Sequence, residues 1–429
     1  MKNLLIFPAG TEIGIEIFNA LKYSKFFRVF GATSLEDHSV YLYKRLITGL
    51  PYYDEDDFLL HLNKVIKMYK IDYIYPANDA VQFFLMQNEK YVAAQIVSAP
   101  RKTVEICRSK ERTYKYLCEQ GCFEFIPKVF ESIEEIDKYP VFVKPDVGQG
   151  SVGAEIIYNE KQLKHRLEEE KKLVMCEYLA GEEYTVDCFT DRHGKLRVVS
   201  LRNRTRIRLG ISVHSQVLDE DENVNKIAHS LNDRLQFQGA WFFQLKKNNE
   251  GDYKLLEVSP RIPGTMGVSR NKGINFPLLT LYNLGGYDID IINNDYNISV
   301  DRAFINRYKI EIEYDVIYVD FDDTLIIDGQ VNIILLAFLY QALEKNKKII
   351  LVTKHINDIQ ESLESYKISK DIFTDIIALK KTDEKTKYIN SNKAIFIDDS
   401  FAERKCVSNE KGIPVFDLDM VESLIDWRR

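Results

Sequence analysis

The chain has 429 residues, a hydrophobic fraction of 45% and a formal net charge of −7. This length exceeds what one hydrophobic core serves, so roughly two to four domains are expected, and the acidic balance argues against a general nucleic-acid binder. Six cysteines without a Cys-x-x-Cys pair read as small buried hydrophobes in a reducing compartment. Met1–Phe7 is too short for a secretory signal, and the apolar stretch Val331–Leu343 falls far short of a membrane span. The expectation is a cytoplasmic protein with neither membrane nor nucleic acid as partner.

In chain order, Leu4–Phe7, the turn Pro8-Ala9-Gly10-Thr11 and a helical pattern over Glu12–Lys22 read as strand, turn and helix. Phe27–Gly31 and Ile71–Tyr75 follow as strands, the latter ending at Pro76-Ala77-Asn78-Asp79. Such alternation predicts a parallel sheet, hence a small Rossmann-like domain over residues 1–98. From Ala99 the pattern changes to half-buried strands joined by short turns, among them Val141–Val143, Leu173–Cys176, Tyr184–Phe189 and Leu196–Leu201. This predicts an α+β region with antiparallel sheet. A second α/β series opens near residue 313, with strands at 316–319, 349–352 and 394–397 and helices at about 330–346, 356–367 and 383–390. The overall expectation is a multidomain chain of mixed α/β and α+β class.

The middle region carries an ordered series of polar positions. A strand delivers Lys144, and four residues later comes Gly148-Gln149-Gly150-Ser151-Val152-Gly153, a loop whose backbone N–H groups can close over phosphates while the lysine supplies point charge. Then follow Cys176-Glu177-Tyr178-Leu179, Gly181-Glu182-Glu183-Tyr184, Gln244 within Trp241–Leu245, and Leu255-Leu256-Glu257-Val258-Ser259-Pro260-Arg261.

In this order the motifs resemble the ATP-grasp superfamily, nearest to its biotin carboxylase and carbamoyl phosphate synthetase branch. The resemblance covers residues 1–310: a Rossmann-like leading domain, then an ATP-grasp domain over 99–312 with a lid at about 125–195. It implies that Lys110 and Lys144 contact ATP phosphates and that the loop holding Gly148, Gly150 and Ser151 folds over them. Glu177, Tyr178 and Leu179 would line the adenine pocket, and Glu183 would hold the ribose. Gln244, Glu257 and Ser259 would occupy the Mg²⁺-binding positions (Mn²⁺ as an alternative), and Arg261 would steady the transferring phosphoryl group. Ser259 stands where the family usually has asparagine and Gln244 where it usually has a carboxylate, which leaves Glu257 as the principal charged ligand.

Arg202, Arg204, Arg206 and Arg208 alternate with Asn203, Thr205 and Ile207. Period two on a strand puts all four guanidiniums on one face, which reads either as a substrate anion site or as a charged edge strand. His214 reads as a loop residue rather than a base.

In the last segment, Asp320-Phe321-Asp322-Asp323-Thr324 follows the apolar run Val316–Val319, Thr353 ends a second strand, and Asp398-Asp399 ends a third. Carboxylates at the C-terminal mouths of parallel strands converge on one pocket suited to Mg²⁺ and phosphoryl chemistry. Residues 313–429 resemble the haloacid dehalogenase (HAD) phosphatases with little or no cap domain. The resemblance implies Asp320 as nucleophile, Asp322 as general acid/base, Thr353 on the phosphoryl oxygens, and Asp398 and Asp399 on Mg²⁺ together with Asp320 and Asp322. For the family's lysine, Lys380, Lys381, Lys385 and Lys387 are all available, with Lys385 favoured.

Together the resemblances imply an ATP-dependent, ADP-forming carboxylate–amine ligase joined to a Mg²⁺-dependent phosphatase. Its partners would be a small carboxylate, an amine and a phosphorylated metabolite, with a homodimer allowed for. A ligase with a purely regulatory HAD domain, and a carboxylating or kinase-like ATP-grasp enzyme, are the rival expectations.

Overall fold

Apolar strands, buried at the centre and half-exposed at the edges, alternate with helices to produce a five-stranded parallel sheet at the N-terminus. Its order is Leu46–Thr48, Phe27–Thr33, Lys2–Phe7, Tyr73–Pro76, Gln95–Ile96. The strand order reverses between Lys2–Phe7 and Tyr73–Pro76, which makes their C-terminal ends the natural crevice for a ligand. Two helices start at that crevice. Thr11 caps Glu12–Leu21 by accepting from the Gly14 amide at 3.0 Å, and Asn78 caps Asp79–Gln87 by accepting from the Val81 amide at 2.8 Å. Both are N-cap residues of the preferred type.

The structure is a computed structural model that describes residues 1–428 apart from 149, 151, 171, 209, 295, 306 and 309. It divides into two compact units, residues 1–304 and 305–428. In the first unit the parallel sheet is followed by two four-stranded sheets. One orders Val129–Phe130, Leu173–Glu177, Val141–Pro145 and Glu155–Ile157; the other orders Leu196–Asn203, Glu183–Thr190, Gly239–Lys247 and Tyr253–Ser259. All pairings within these two sheets are antiparallel. The core beneath the second is built around Trp241, which stacks on Phe237 at 3.9 Å between ring centroids and donates its indole N–H to Thr190 Oγ1 at 2.8 Å.

The second unit holds a parallel sheet in the order Asp375–Ala378, Lys348–Thr353, Val316–Val319, Ala394–Ile397, Val415–Phe416. The helix expected at about 330–346 spans Ile333–Glu344, because the residues before it form a small hairpin of Ile326–Ile327 and Gln330–Val331. Its turn is Asp328-Gly329, with φ of 50° and 72°, the Asp-Gly preference of a tight two-residue hairpin. The helix expected at 383–390 is one 3₁₀ turn, Lys385–Tyr388.

Candidate active sites

The first unit contains two adjoining cavities, of about 490 and 190 Å³, that share the wall formed by Lys110, Gly148, Gly150, Arg204, Gln244 and Glu257. The smaller is lined in part by Phe142, Ile156, Leu179 and Leu256, beside Glu177 and Tyr178. The larger is polar and opens onto the crevice of the parallel sheet, with Thr11, Glu12, Asn78, Asp79, Arg261 and Arg302 in its walls.

Neighbouring strands place the central polar pair. Gln244 and Glu257 face each other across the ladder between Gly239–Lys247 and Tyr253–Ser259. Lys144 ends its strand buried, with its ammonium donating to Tyr114 Oη at 2.7 Å and to the Leu256 carbonyl at 3.0 Å. Burial pushes the pKa of both Lys144 and Lys110 down, because desolvation disfavours the ammonium form. Ser259 does not stand open as a ligand: its hydroxyl donates to Asp79 Oδ1 at 2.9 Å. Arg261 donates to the same carboxylate from Nε at 2.8 Å and from Nη2 at 2.5 Å. Burial would raise the Asp79 pKa, but Arg261 and Ser259 together draw it below the ordinary carboxylate value.

Glu177 is committed to backbone, accepting from the Lys128 amide at 2.8 Å. Glu183 sits between Lys246 at 3.1 Å and Arg204 at 3.6 Å. Of the glycine loop, Ser151 and Gln149 lie outside the described residues. Gly150 packs against Gly210, where a Cβ would meet the Gly150 backbone at 2.2 Å. With φ of 72° at Gly210 as well, glycine is required there for the loop to approach so closely.

The four arginines do not share a face. The strand Leu196–Asn203 ends after Arg202, and Arg206–Arg208 belongs to a different sheet, paired with Ile211–Gln216. The period-two pattern is therefore broken at Arg204-Thr205. Arg202 is buried in a bidentate pair with Asp187, at 2.9 and 3.1 Å. Arg204 lines both cavities and donates to the Gly210 carbonyl at 2.9 Å. Arg206 is exposed and paired with Asp301 at 2.6 Å, and Arg208 lies over Phe304. His214 is in a strand, with its Nδ1 2.6 Å from Thr205 Oγ1. Because Arg202 and Asp187 are each 1% exposed, Arg202→Ala should destabilise the protein by about 3–5 kcal/mol by stranding a buried carboxylate. Thermal denaturation would detect this as a lowered Tm.

Two residues of the larger cavity had no motif to announce them. In sequence Asp79 marks only the end of the segment Pro76-Ala77-Asn78-Asp79, and Arg302 stands in no recognised motif. Arg302 Nη1 is buried without a hydrogen-bond partner and lies 3.4 Å from where a Cβ on Gly264 would stand.

In the second unit, Asp320, Thr353 and Asp398 meet at the ends of three adjacent strands. Ligand oxygens of Asp320, Asp398 and Asp399 lie within 4.8 Å of one another. Lys385 bridges two of them, donating to Asp398 Oδ2 at 2.6 Å and to Asp320 Oδ2 at 2.9 Å. Burial works against the ammonium, yet the two carboxylates raise its pKa. Burial also raises both aspartates against the pull of Lys385, Asp398 to about 6. Asp320 Oδ1 is buried and has no hydrogen-bond partner. Three clustered carboxylates with one lysine and one open oxygen fit a hard divalent cation. Thr324 links to Asp399 by Oγ1 at 3.1 Å, and Arg404 donates to the Asp398 and Asp399 carbonyls, each at 2.6 Å. Asp322 stands apart from the cluster, 51% exposed and 2.8 Å from His355 Nδ1. Its carboxylate turns to His355 and is not among the clustered oxygens.

A family model described as "ATP-grasp in the biosynthetic pathway with Ter operon" matches residues 169–303, and one described as "D-ala D-ala ligase C-terminus" matches residues 110–211. D-alanine–D-alanine ligase A of Bacillus cereus is 30% identical over 109 residues, which cover 23% of this chain and 36% of that protein. The chain thus spans about a third of the length of the curated relatives it matches. Among solved structures, an L-amino acid ligase from Bacillus licheniformis superposes with a TM-score of 0.54 at 20% identity, covering 66% of this chain and 74% of that one. The biotin carboxylase domain of Hydrogenobacter thermophilus 2-oxoglutarate carboxylase, in complex with MgADP and bicarbonate, gives a TM-score of 0.55 at 15% identity, covering 67% of this chain and 70% of that one. Both family matches lie within residues 110–303, and about two thirds of the chain shares the fold of these solved structures. No helix among the described residues is long and apolar enough to cross a membrane.

Proposed function

We propose that the first unit is an ATP-dependent, ADP-forming carboxylate–amine ligase and that the second is a HAD-type phosphatase acting on a phosphorylated substrate or product of the same pathway. The observation that carries the ligase reading is the wall shared by the two cavities. It puts Lys110, Arg204, Gln244 and Glu257 between an apolar slot and a polar chamber. The adenine would enter the slot along Glu177, Tyr178 and Leu179, with Glu183 at the ribose. Lys110, Lys144 and the Gly148–Gly153 loop would take the phosphates, so the terminal phosphate reaches the shared wall. The carboxylate would then lie in the polar chamber and attack that phosphate, releasing ADP and forming an acyl phosphate, whose carbonyl carbon the amine attacks to form the amide and release phosphate. Arg261, held by Asp79, would face the charge that develops during transfer, and Arg302 supplies an unpaired donor for an anionic substrate.

Mg²⁺, held by Glu257 with Gln244 in this site and by Asp320, Asp398 and Asp399 in the other, would neutralise clustered phosphate charge. The MgADP bound to the 2-oxoglutarate carboxylase domain supports this cofactor choice. The domain division that fits is 1–98, 99–312 and 313–429, and a homodimer is part of the proposal.

For the phosphatase, Asp320 would be the nucleophile, Asp322 the acid/base, and Thr353 and Lys385 the groups that hold the phosphoryl oxygens and the carboxylates. The open Asp320 Oδ1 supports this reading.

Hydroxylamine trapping tests the ligase chemistry. ATP and the correct carboxylate, without amine, should yield ADP and a hydroxamate. Release of AMP and pyrophosphate would contradict an acyl phosphate. Arg204→Ala should raise the KM for the carboxylate more than that for ATP, whereas Arg206→Ala, on an exposed pair, should move neither constant by more than about twofold. Initial-rate kinetics on the two variants separate these outcomes.

A further inference from the structure

We propose that His355 is the positioning residue of the phosphatase site: it holds the Asp322 carboxylate in the orientation from which it protonates the leaving oxygen. The inference rests on the phosphatase reading above. A half-exposed aspartate at a strand mouth would otherwise sample several rotamers and lose freedom in each turnover. Here the carboxylate has a fixed partner. His355 Nδ1 lies 2.8 Å from Asp322 Oδ1 and 3.0 Å from Oδ2.

The imidazole is itself held on three sides and only 12% exposed. Nε2 is 2.8 Å from Ser362 Oγ, on the helix Ile359–Ser365. The ring packs edge-to-face on buried Phe321, with centroids 4.9 Å apart, and the His355 amide donates to Thr353 Oγ1 at 3.2 Å. Both ring nitrogens are engaged, Nδ1 by the Asp322 carboxylate and Nε2 by Ser362 Oγ. Both Asp322 oxygens lie within hydrogen-bond reach of Nδ1, so the ring fixes the plane of the carboxylate. Phe321, between the two aspartates in sequence, and Thr353, at the neighbouring strand end, tie this bracket to the nucleophile's own surroundings.

In the first step an Asp320 oxygen bonds to phosphorus and the P–OR bond breaks, its electron pair leaving on the ester oxygen, which takes the proton of Asp322. In the second a water oxygen bonds to phosphorus, the Asp322 carboxylate takes one water proton, and the P–O bond to Asp320 breaks. Ester and water become alcohol and phosphate, and both aspartates return to their starting forms.

Leaving-group dependence of kcat/KM, which ends at departure of the alcohol, tests the role. An alkyl phosphomonoester needs its oxygen protonated; p-nitrophenyl phosphate, with a stable phenolate, needs this little. His355→Ala should lower kcat/KM for the alkyl ester about 10- to 100-fold, the scale of a misplaced catalytic group, and that for p-nitrophenyl phosphate by less than about threefold. Ser362→Ala, a milder change, should act in the same direction, and His355→Asn, which keeps an N–H donor, should recover part of the alkyl-ester activity. In an Asp322→Asn background, His355→Ala should cost nothing further. Equal losses on both esters, or an additive loss in the double variant, would overturn the positioning role alone. A wild-type protein that hydrolyses neither ester would overturn the phosphatase reading, and this inference with it.

Discussion

Asp320→Asn should bring Mg²⁺-dependent hydrolysis of p-nitrophenyl phosphate below detection. The chain places this carboxylate at the mouth of a central strand, keeps one oxygen on Lys385 at 2.9 Å and leaves the other buried and unpartnered. An amide there cannot become an acyl phosphate, so the covalent route closes altogether. Asp322→Asn should be milder, slowing turnover of an alkyl phosphomonoester by roughly 10²- to 10⁴-fold, the usual weight of general acid–base catalysis. Trapping with beryllofluoride should require Asp320, Asp398 and Mg²⁺ together. Comparable turnover by the Asp320 and Asp322 variants would assign the nucleophile elsewhere. A wild-type protein that binds Mg²⁺ yet hydrolyses no member of a broad phosphoester panel would favour a regulatory domain.

Glu257→Gln should lower carboxylate-dependent ADP formation by roughly 10²- to 10³-fold while leaving phosphoester hydrolysis intact. Glu257 faces Gln244 across the ladder, and Ser259 is occupied by Asp79. The substitution therefore leaves that ladder pair without a carboxylate. The cost of losing one such electrostatic group is about 2.7–4 kcal/mol, or roughly 10²- to 10³-fold in kcat. The carboxylate cluster of the other unit draws all its residues from 305–428, so its activity should not change. ADP release and p-nitrophenol release, measured on the same preparation, check both halves of this expectation. Simultaneous loss of both activities would mean that the sites are not independent.

Much of this is legible in the chain because short-range rules govern it. The strand before Asp320, the one ending at Thr353 and the one before Asp398 are continuous apolar runs, and a parallel sheet gathers their C-terminal ends. Lys144, Gln244 and Glu257 are likewise fixed by strands whose residues are apolar enough to recognise. What escapes is long-range pairing between polar residues of unremarkable context. Arg261 meets Asp79 across 182 positions, and nothing local distinguishes Asp79 from any acidic residue in the first turn of a helix. His355 follows Thr353 by two residues, but its partner Ser362 arrives only when the helix Ile359–Ser365 packs. The arginine series misleads for the converse reason: period two predicts one face only while the strand continues, and this one ends at Asn203. Asp328-Gly329 carried a hairpin signal that the surrounding apolar, helix-like composition obscured.

The most direct measurement is ADP release across a panel of carboxylates, each with and without amines and amino acids, using wild-type protein and Asp320→Asn in parallel. The proposal requires at least one pair for which ADP appears only when ATP, carboxylate and amine are all present, at equal rates in the two proteins. ADP release that needs no amine and yields a stable phosphorylated or carboxylated product, or release that disappears with Asp320, would contradict a ligase site independent of the phosphatase.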